Sequence, residues 1–429
     1  MKRVSIDDLL VDDRERGIFR VNRRAFLDED VLRLEQSRIF DRVWLYVGHE
    51  SEIPTPGDFI RREVGGRPVI FVRDDRGTPR VHFNVCSHRG NVVCREAAGN
   101  ARLFRCAYHS WTYNTQGELI GVPGKEGYST AFDTSELKLA APARVDGYRG
   151  LYFMSVSPEA GDLADFLAPA REYIDLILDY TDAGLQIAKG TQAYSSRTNW
   201  KLLVENSMDN YHFLATHHRY LKQFLPDMGL DGKGWSLSGH IGKGLGGGHA
   251  LIEGPIGPLP LSAQATEHLA QNRRRLEARH GIERTRRILD YGRNLFIFPN
   301  LFLISNWRTI RTFFPRSPGY VEISSWALLP KDDTSELREM RVNNYISFLG
   351  PAGFGTPDDV DMLEGCQRGF TAAPDTWSDV SRGMLTEAEG TSEEQMRAFW
   401  RRWREVLAAD VERSERADIL NRAPAACGG

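Results

Sequence analysis

The stretch Asn199–His218, NWKLLVENSMDNYHFLATHH, decides how the rest of the chain is read. Two histidines, His212 and His217, stand five apart, and Asp209 precedes the first by three residues. On one continuous helix Asp209 and His212 share a face, one turn apart. His217 is then about 140° further round, so both imidazoles reach one metal only where the helix ends or bends between them. Neutral imidazoles suit iron, copper, nickel or zinc, and a pair of them with one carboxylate makes a facial triad with open positions on a non-haem iron(II) ion. Alone, a His-x4-His pair is weak evidence, because isolated histidines are more often core or surface residues.

A second ligand set lies upstream. Cys86-Ser-His88-Arg89-Gly90 is followed by Cys106-Ala-Tyr-His109, with seventeen residues between His88 and Cys106. Each half offers one thiolate and one imidazole from a short loop. Zinc fingers usually group two cysteines in one knuckle and two histidines in the other. The alternation here suits a cluster with two distinct irons, Cys86 and Cys106 on one, His88 and His109 on the other. That is the Rieske arrangement, in which histidine in place of two thiolates raises the reduction potential to roughly −150 to +300 mV. Cys94 breaks the spacing and reads as a buried bystander, Arg89 as a surface charge, and Tyr108 and Trp111 as shielding for the cluster.

Bulk properties frame both sets. A chain of 429 residues has room for two or three domains. A formal charge of −3 gives no general pull toward nucleic acid or an anionic membrane. No apolar run approaches the roughly 20 residues of a spanning helix. The beginning, MKRVSIDDLLVDD, has no apolar centre and does not read as a secretory signal. Five cysteines (Cys86, Cys94, Cys106, Cys366, Cys427) are odd in number and too sparse for a disulfide framework, so a cytoplasmic protein with free thiols is expected.

Along the chain, residues 1–40 read as a lead-in ending in a helix capped by Asp28. From 41 to 157 the texture is β: Phe59–Val64, the hairpin signal Gly65-Gly66, Val69–Val72, a turn at Asp74–Gly77, Val81–Val85, and a closing strand from Gly150 to Val156. Residues 158–429 are mixed. Leu163–Leu178 and Leu261–Leu289 read as helices, Gln186–Arg197 as a strand, and Leu295–Ile304, Thr309–Phe314 and Val321–Leu329 as a meander. Ile241–His249, IGKGLGGGH, fits no phosphate loop and reads as backbone approaching something closely, such as a substrate cavity. Ser392 with Gln395 forms a capping box before a helix whose inner face is Met396, Phe399, Trp403 and Leu407.

With both ligand sets in hand, the chain resembles the α subunits of Rieske non-haem iron ring-hydroxylating dioxygenases over almost its whole length. The family's CxHRG and CxYHxW signatures appear as Cys86–Gly90 and Cys106–Trp111, with Ser110 where many members carry glycine. Its NWKxxxEN…DxYHxxxxH pattern appears as Asn199-Trp200-Lys201, Glu205-Asn206, Asp209, Tyr211, His212 and His217. GPAGFGTPDDVDMLEGCQRGF (350–370) resembles the helix bearing the third ligand, with Asp359 in the ligand position and Asp358 and Asp361 beside it.

The resemblance implies an α+β fold: an antiparallel Rieske [2Fe-2S] domain before a larger catalytic domain whose antiparallel sheet is gripped by helices. It implies that His212, His217 and Asp359 hold iron(II), and that Asp209 bridges to the cluster of a neighbouring subunit. It further implies a ring trimer of α subunits, often with a small β subunit, fed by NAD(P)H through a reductase and often a ferredoxin. Dioxygen is then added to an aromatic ring as a cis-dihydrodiol; the same metal sets also serve monooxygenases and demethylases. A Rieske electron carrier without oxygen chemistry would leave the His212–His217 set unused. The texture of residues 13–26 and 39–59 is similar to the p-cumate and benzoate-type branch. A carboxylated substrate needs a cationic clamp, for which Arg308 and Arg311 are candidates.

Overall fold

The computed structural model describes residues 5–227, 238–257, 261–387 and 389–421; Cys427 lies outside them. Three small antiparallel sheets occupy residues 45–155. Gly65 and Gly66, at φ +58° and +75°, close the tight hairpin between Asp58–Val64 and Arg67–Arg73, which continues to Pro79–Phe83 and Ala98–Asn100. Leu103–Arg105, Thr112–Asn114 and Leu119–Gly121 form the second sheet. Leu45–His49 pairs with Leu151–Ser155 and closes the unit.

The rest is built on one eight-stranded antiparallel sheet. Its centre is the expected meander, Tyr291–Ile297, Leu301–Ile304, Thr309–Ser317 and Tyr320–Pro330. One face meets the helices at 163–178 and the strands Leu45–His49 and Leu151–Ser155 through Leu295, Leu303, Ile310 and Trp326. The other face, with Phe296, Phe302, Phe313 and Ile323, packs on Trp200, Leu203 and Met208 and on the C-terminal helix Glu394–Asn421. Met396, Phe399, Trp403 and Leu407 of that helix are buried, as their spacing requires.

Several elements differ from expectation, each for a local reason. Leu163–Leu178 is two helices, Leu163–Leu167 and Arg171–Leu178, because Pro169 cannot continue the hydrogen-bond ladder. Leu261–Leu289 divides at Gly281, whose φ is +80°. Gln186–Arg197 is two short strands, Leu185–Ile187 and Gln192–Ser196, both on Tyr320–Pro330. Ser392 does not form the capping box, since its hydroxyl accepts from the Glu389 N–H. Gly242, Gly244 and Gly248 of the 241–249 stretch face the C-terminal helix rather than a cavity: a Cβ on Gly244 would be 2.6 Å from that of Ala398. The lead-in carries a hairpin not read from sequence, Leu10–Asp13 with Ile18–Asn22, which also pairs with Trp377–Asp379.

Glu35 ties the lead-in helix Glu29–Glu35 to the rest. Its carboxylate accepts from Lys201 Nζ at 2.6 Å and from the Trp200 and Trp403 indoles at 2.7 Å each. Glu35 and Lys201 are both fully buried.

Candidate metal centres

The helix Trp200–Ser207 is capped by Asn199, whose side chain accepts from the Lys201 N–H. It ends before Asp209, so Asp209 and His212 do not share a helix. The freed carbonyls of Ser207 and Met208 find donors in Asn294 and Gln395, from the sheet and the C-terminal helix. Asp209 then turns the chain by accepting from the Tyr211 N–H at 2.6 Å. His212 precedes the short helix Phe213–Thr216, and His217 follows it. This is the bend that two convergent imidazoles need.

Asp359 comes from the first turns of the helix Gly355–Ala372. Its Oδ1 is 3.3 Å from Nε2 of both His212 and His217, and the ligand atoms of the three residues all lie within 4.8 Å of one another. Each imidazole turns its other nitrogen to a second carboxylate, His212 Nδ1 to Asp209 at 3.3 Å and His217 Nδ1 to Asp358 at 3.6 Å. Both Nδ1 atoms are buried and lack a well-aligned hydrogen bond, so these are ion-pair contacts that orient the rings. Asn206 Nδ2 donates to Asp359 Oδ1 at 3.1 Å. Asp361 and His218, sequence neighbours of the converging residues, are exposed.

Burial alone would lower the His212 pKa, but Asp209 and Asp359 outweigh it and raise it to about 9. For Asp359 burial works upward, and the two imidazoles pull the carboxyl well below its usual range. Such a pocket of carboxylates and imidazoles favours a cation at its centre, and a bound metal displaces the protons. An aromatic wall stands alongside. Phe213 and Phe348 lie 5.3 and 5.2 Å from the His217 ring, and Trp307 stacks on Phe348 at 4.4 Å.

In the small β unit, two loops present the second donor set with matching backbone bonds. Cys86 N–H donates to Asn91 O and Gly90 N–H to Cys86 O; Cys106 N–H donates to Trp111 O and Ser110 N–H to Cys106 O. The fourth residue after each cysteine has positive φ, +75° at Gly90 and +59° at Ser110, so serine here occupies the conformation that glycine adopts freely. The His88 and His109 rings are 4.6 Å apart, and His88 Nδ1 is buried without a partner. Burial tends to raise the Cys106 thiol, but backbone N–H groups of Tyr108 and His109 with the Asn91 and Cys86 side chains hold it below its ordinary value. Two thiols and two imidazoles presented in this way fit a Rieske cluster. Trp111 is buried and stacks on His88 at 4.5 Å, whereas Tyr108 covers His109 but stays exposed. Cys94 is buried apart from the set, its thiol pushed up to about 11 by burial and Glu96. Arg89 is exposed.

Sequence reasoning named Asp358 only as a neighbour of the ligand position, and it passed over the aromatic wall and Tyr113, whose hydroxyl is 3.2 Å from Cys86 Sγ. Of the two arginines, Arg308 lies 3.5 Å over the Tyr180 ring and belongs to a buried cluster with Arg341 and Asp333. Arg311 is buried with Nε and Nη2 unpartnered, on the sheet face that carries Phe302 and Ser325. An open cleft of about 1850 Å³ between the two sheet systems, lined by Arg62, Gln192, Trp326 and Tyr345, contains none of His212, His217 or Asp359.

The family described as "Ring hydroxylating alpha subunit (catalytic domain)" matches residues 187–409, and "Rieske [2Fe-2S] domain" matches residues 43–136. Toluate 1,2-dioxygenase subunit alpha of Pseudomonas putida is 33% identical over 401 residues, 90% of this chain and 87% of that one. The chain belongs to the ring-hydroxylating oxygenase alpha subunits. This alpha subunit is also 31% identical to the 2-halobenzoate 1,2-dioxygenase large subunit of Burkholderia cepacia, over 88% of this chain and 83% of that one. A naphthalene 1,2-dioxygenase solved with indole in its active site superposes with a TM-score of 0.82 at 26% identity, over 93% and 94% of the two chains. The alpha subunit is thus a Rieske non-haem iron oxygenase with a [2Fe-2S] domain and a mononuclear-iron catalytic domain, part of an oligomeric system with redox partners. No helix among the described residues is long and apolar enough to cross a membrane.

Proposed function

We propose that this alpha subunit is the terminal component of a dioxygenase acting on a carboxylated aromatic ring, of the benzoate or cumate kind, to give a cis-dihydrodiol. The observation that carries the reading is the convergence of His212, His217 and Asp359 beside an aromatic wall. These three residues would hold iron(II), and Cys86, His88, Cys106 and His109 the cluster. Bound there, the metals supply dioxygen activation and one-electron delivery. The chain's own residues do the rest. Asp209 and Asp358 fix the imidazole orientations, Asn206 holds the Asp359 carboxylate, and the wall of Phe213, Phe348 and Trp307 excludes water and receives an apolar ring.

Similarity to the toluate and 2-halobenzoate enzymes supports a carboxylated substrate. We assign its clamp to Arg311, whose buried donors are unspent, rather than to Arg308, which is committed to Tyr180. Residues 41–157 and 158–429 make the two working domains, and residues 1–40 pack on the second through Glu35. Asp209, which lies against His212 and next to exposed Tyr211, would bridge to the cluster of a neighbouring subunit in an α-subunit trimer, with or without a small β subunit. Electrons would come from NAD(P)H through a reductase or ferredoxin, in the cytoplasm. Turnover of benzoate and toluate under ¹⁸O₂ tests the reaction: two labelled atoms per product support it, and one would make the enzyme a monooxygenase.

A further inference from the structure

Opposite Arg311 in the large sheet stands a pair of hydroxyls that neither metal site uses. Arg311 and Ser325 are direct partners across the strands Thr309–Ser317 and Tyr320–Pro330, so their side chains rise from one face with Cβ atoms roughly 5 Å apart. Both are buried, Ser325 completely. Arg311 has Nε and Nη2 unpartnered, the two donors on one side of the guanidinium that together grip both oxygens of a carboxylate. Ser325 Oγ is 3.1 Å from the hydroxyl of Tyr345, on the helix Ser335–Ser347. Tyr345 comes three residues before Phe348, whose ring lies 5.2 Å from that of His217. The hydroxyl protons can be counted. Burial pushes the Tyr345 phenol up and keeps it protonated, and its oxygen takes a backbone hydrogen bond from Gln192. The phenol proton then goes to Ser325 Oγ, since the described residues offer neither hydroxyl another acceptor at bonding distance. The Ser325 proton is left, on the face where the Arg311 donors are also unspent.

We propose that Ser325 is the third donor to the carboxylate held by Arg311, and that Tyr345 commits it to donating, so that the pair makes the site select a carboxylate over its neutral amide. This rests on the reading of Arg311 as the carboxylate clamp. Two carboxylate oxygens have lone pairs for all three donors, whereas an amide must turn its own N–H groups toward one of them. A serine free to rotate would accept from that amide; one that already receives the Tyr345 proton keeps its own for the ligand. Ser325 touches the substrate, and Tyr345 is a positioning residue that acts through it.

The test is isothermal titration calorimetry on the anaerobic holoprotein with benzoate, m-toluate and p-cumate, each against its amide. The carboxylate that wild type binds most tightly is then titrated into Ser325→Ala, Tyr345→Phe and the double variant, with circular dichroism of each to confirm the fold. Ser325→Ala should raise Kd for the carboxylate about tenfold, as loss of a hydrogen bond to a charged group does, and leave the amide within about threefold. Tyr345→Phe should weaken the carboxylate by about threefold and leave the amide unchanged or tighter. The double variant should match Ser325→Ala, because Tyr345 acts only through Ser325. Equal losses for carboxylate and amide, no loss, or a double variant more than about threefold weaker than Ser325→Ala overturn the proposal. Should Ser325→Ala not fold, Ser325→Cys fills the same space with a weak donor and should show the same loss. A wild type that binds none of the carboxylates more tightly than its amide would defeat the clamp reading of Arg311 itself, a separate result from a carboxylate site that ignores Ser325.

Discussion

Replacing Glu35 with alanine should nearly unfold the catalytic domain, although Glu35 belongs to neither metal set. Among the described residues its carboxylate is the one counter-charge at hydrogen-bonding distance from the buried Lys201 ammonium, and it is the acceptor for two buried indoles. Breaking a buried ion pair by removing one partner costs about 3–5 kcal/mol. Each orphaned indole N–H adds roughly 1–3 kcal/mol on its own, though the three losses share one cavity and do not sum. A loss of about 5 kcal/mol is therefore expected, comparable to the whole stability of many domains. Urea titration followed by tryptophan fluorescence and far-UV circular dichroism measures it. Glu35→Leu combined with Lys201→Met should lose less than Glu35→Leu alone, because no bare charge is then buried. A loss under about 1 kcal/mol for Glu35→Ala would refute the reasoning, as would a double variant weaker than the single one.

Other consequences are local. At Ser110, φ +59° admits glycine freely and penalises a β-branched side chain, so Ser110→Val should shorten the thermal half-life of the cluster's visible absorbance while Ser110→Gly does not. Equal half-lives for all three proteins would contradict this. His249 accepts from the Phe298 N–H through Nδ1 and reaches the Phe166 carbonyl through Nε2, and burial lowers its pKa to about 4. Because the unfolded chain binds that proton more readily, stability should fall as pH drops from about 6.5 to about 4, by about 3 kcal/mol in all. His249→Asn should be less stable at neutral pH and show a flatter dependence over that window; an unchanged slope in urea midpoints would remove His249 as a cause. Arg311→Leu should raise KM for a benzoate far more than for the neutral amide of the same ring, whereas equal effects would take Arg311 out of substrate binding.

The candidate ligand residues were legible to different degrees. His212 and His217 were weak evidence by spacing alone and stood out only through the family resemblance. Alternating Cys and His over Cys86–His109 left few other readings, because metal chemistry restricts residue type and spacing together. The hairpin at Gly65-Gly66 and the helix under Phe399 and Trp403 were equally open, since turn conformation and helical period are local properties. What stayed hidden depends on distant partners. The helix from Trp200 ends before Asp209 because Asn294 and Gln395 supply donors to its last carbonyls, and nothing local announces either. Glu35 reads as one more acidic residue of an exposed helix until Lys201 and two tryptophans surround it. The choice among Asp358, Asp359 and Asp361 turned on helix phase: Asp359 faces both Nε2 atoms, Asp358 the outer nitrogen of His217, and Asp361 solvent.

The central claim is that one chain holds two separate metal sites, and metal analysis of anaerobically purified protein tests it most directly. Iron and acid-labile sulfide should be counted, and EPR of the reduced form recorded, for wild type and His212→Ala. The account predicts about three irons and two sulfides per wild-type chain with a Rieske-type signal, and loss of one iron alone in the variant. Two irons in both proteins would contradict it, leaving His212, His217 and Asp359 without a metal.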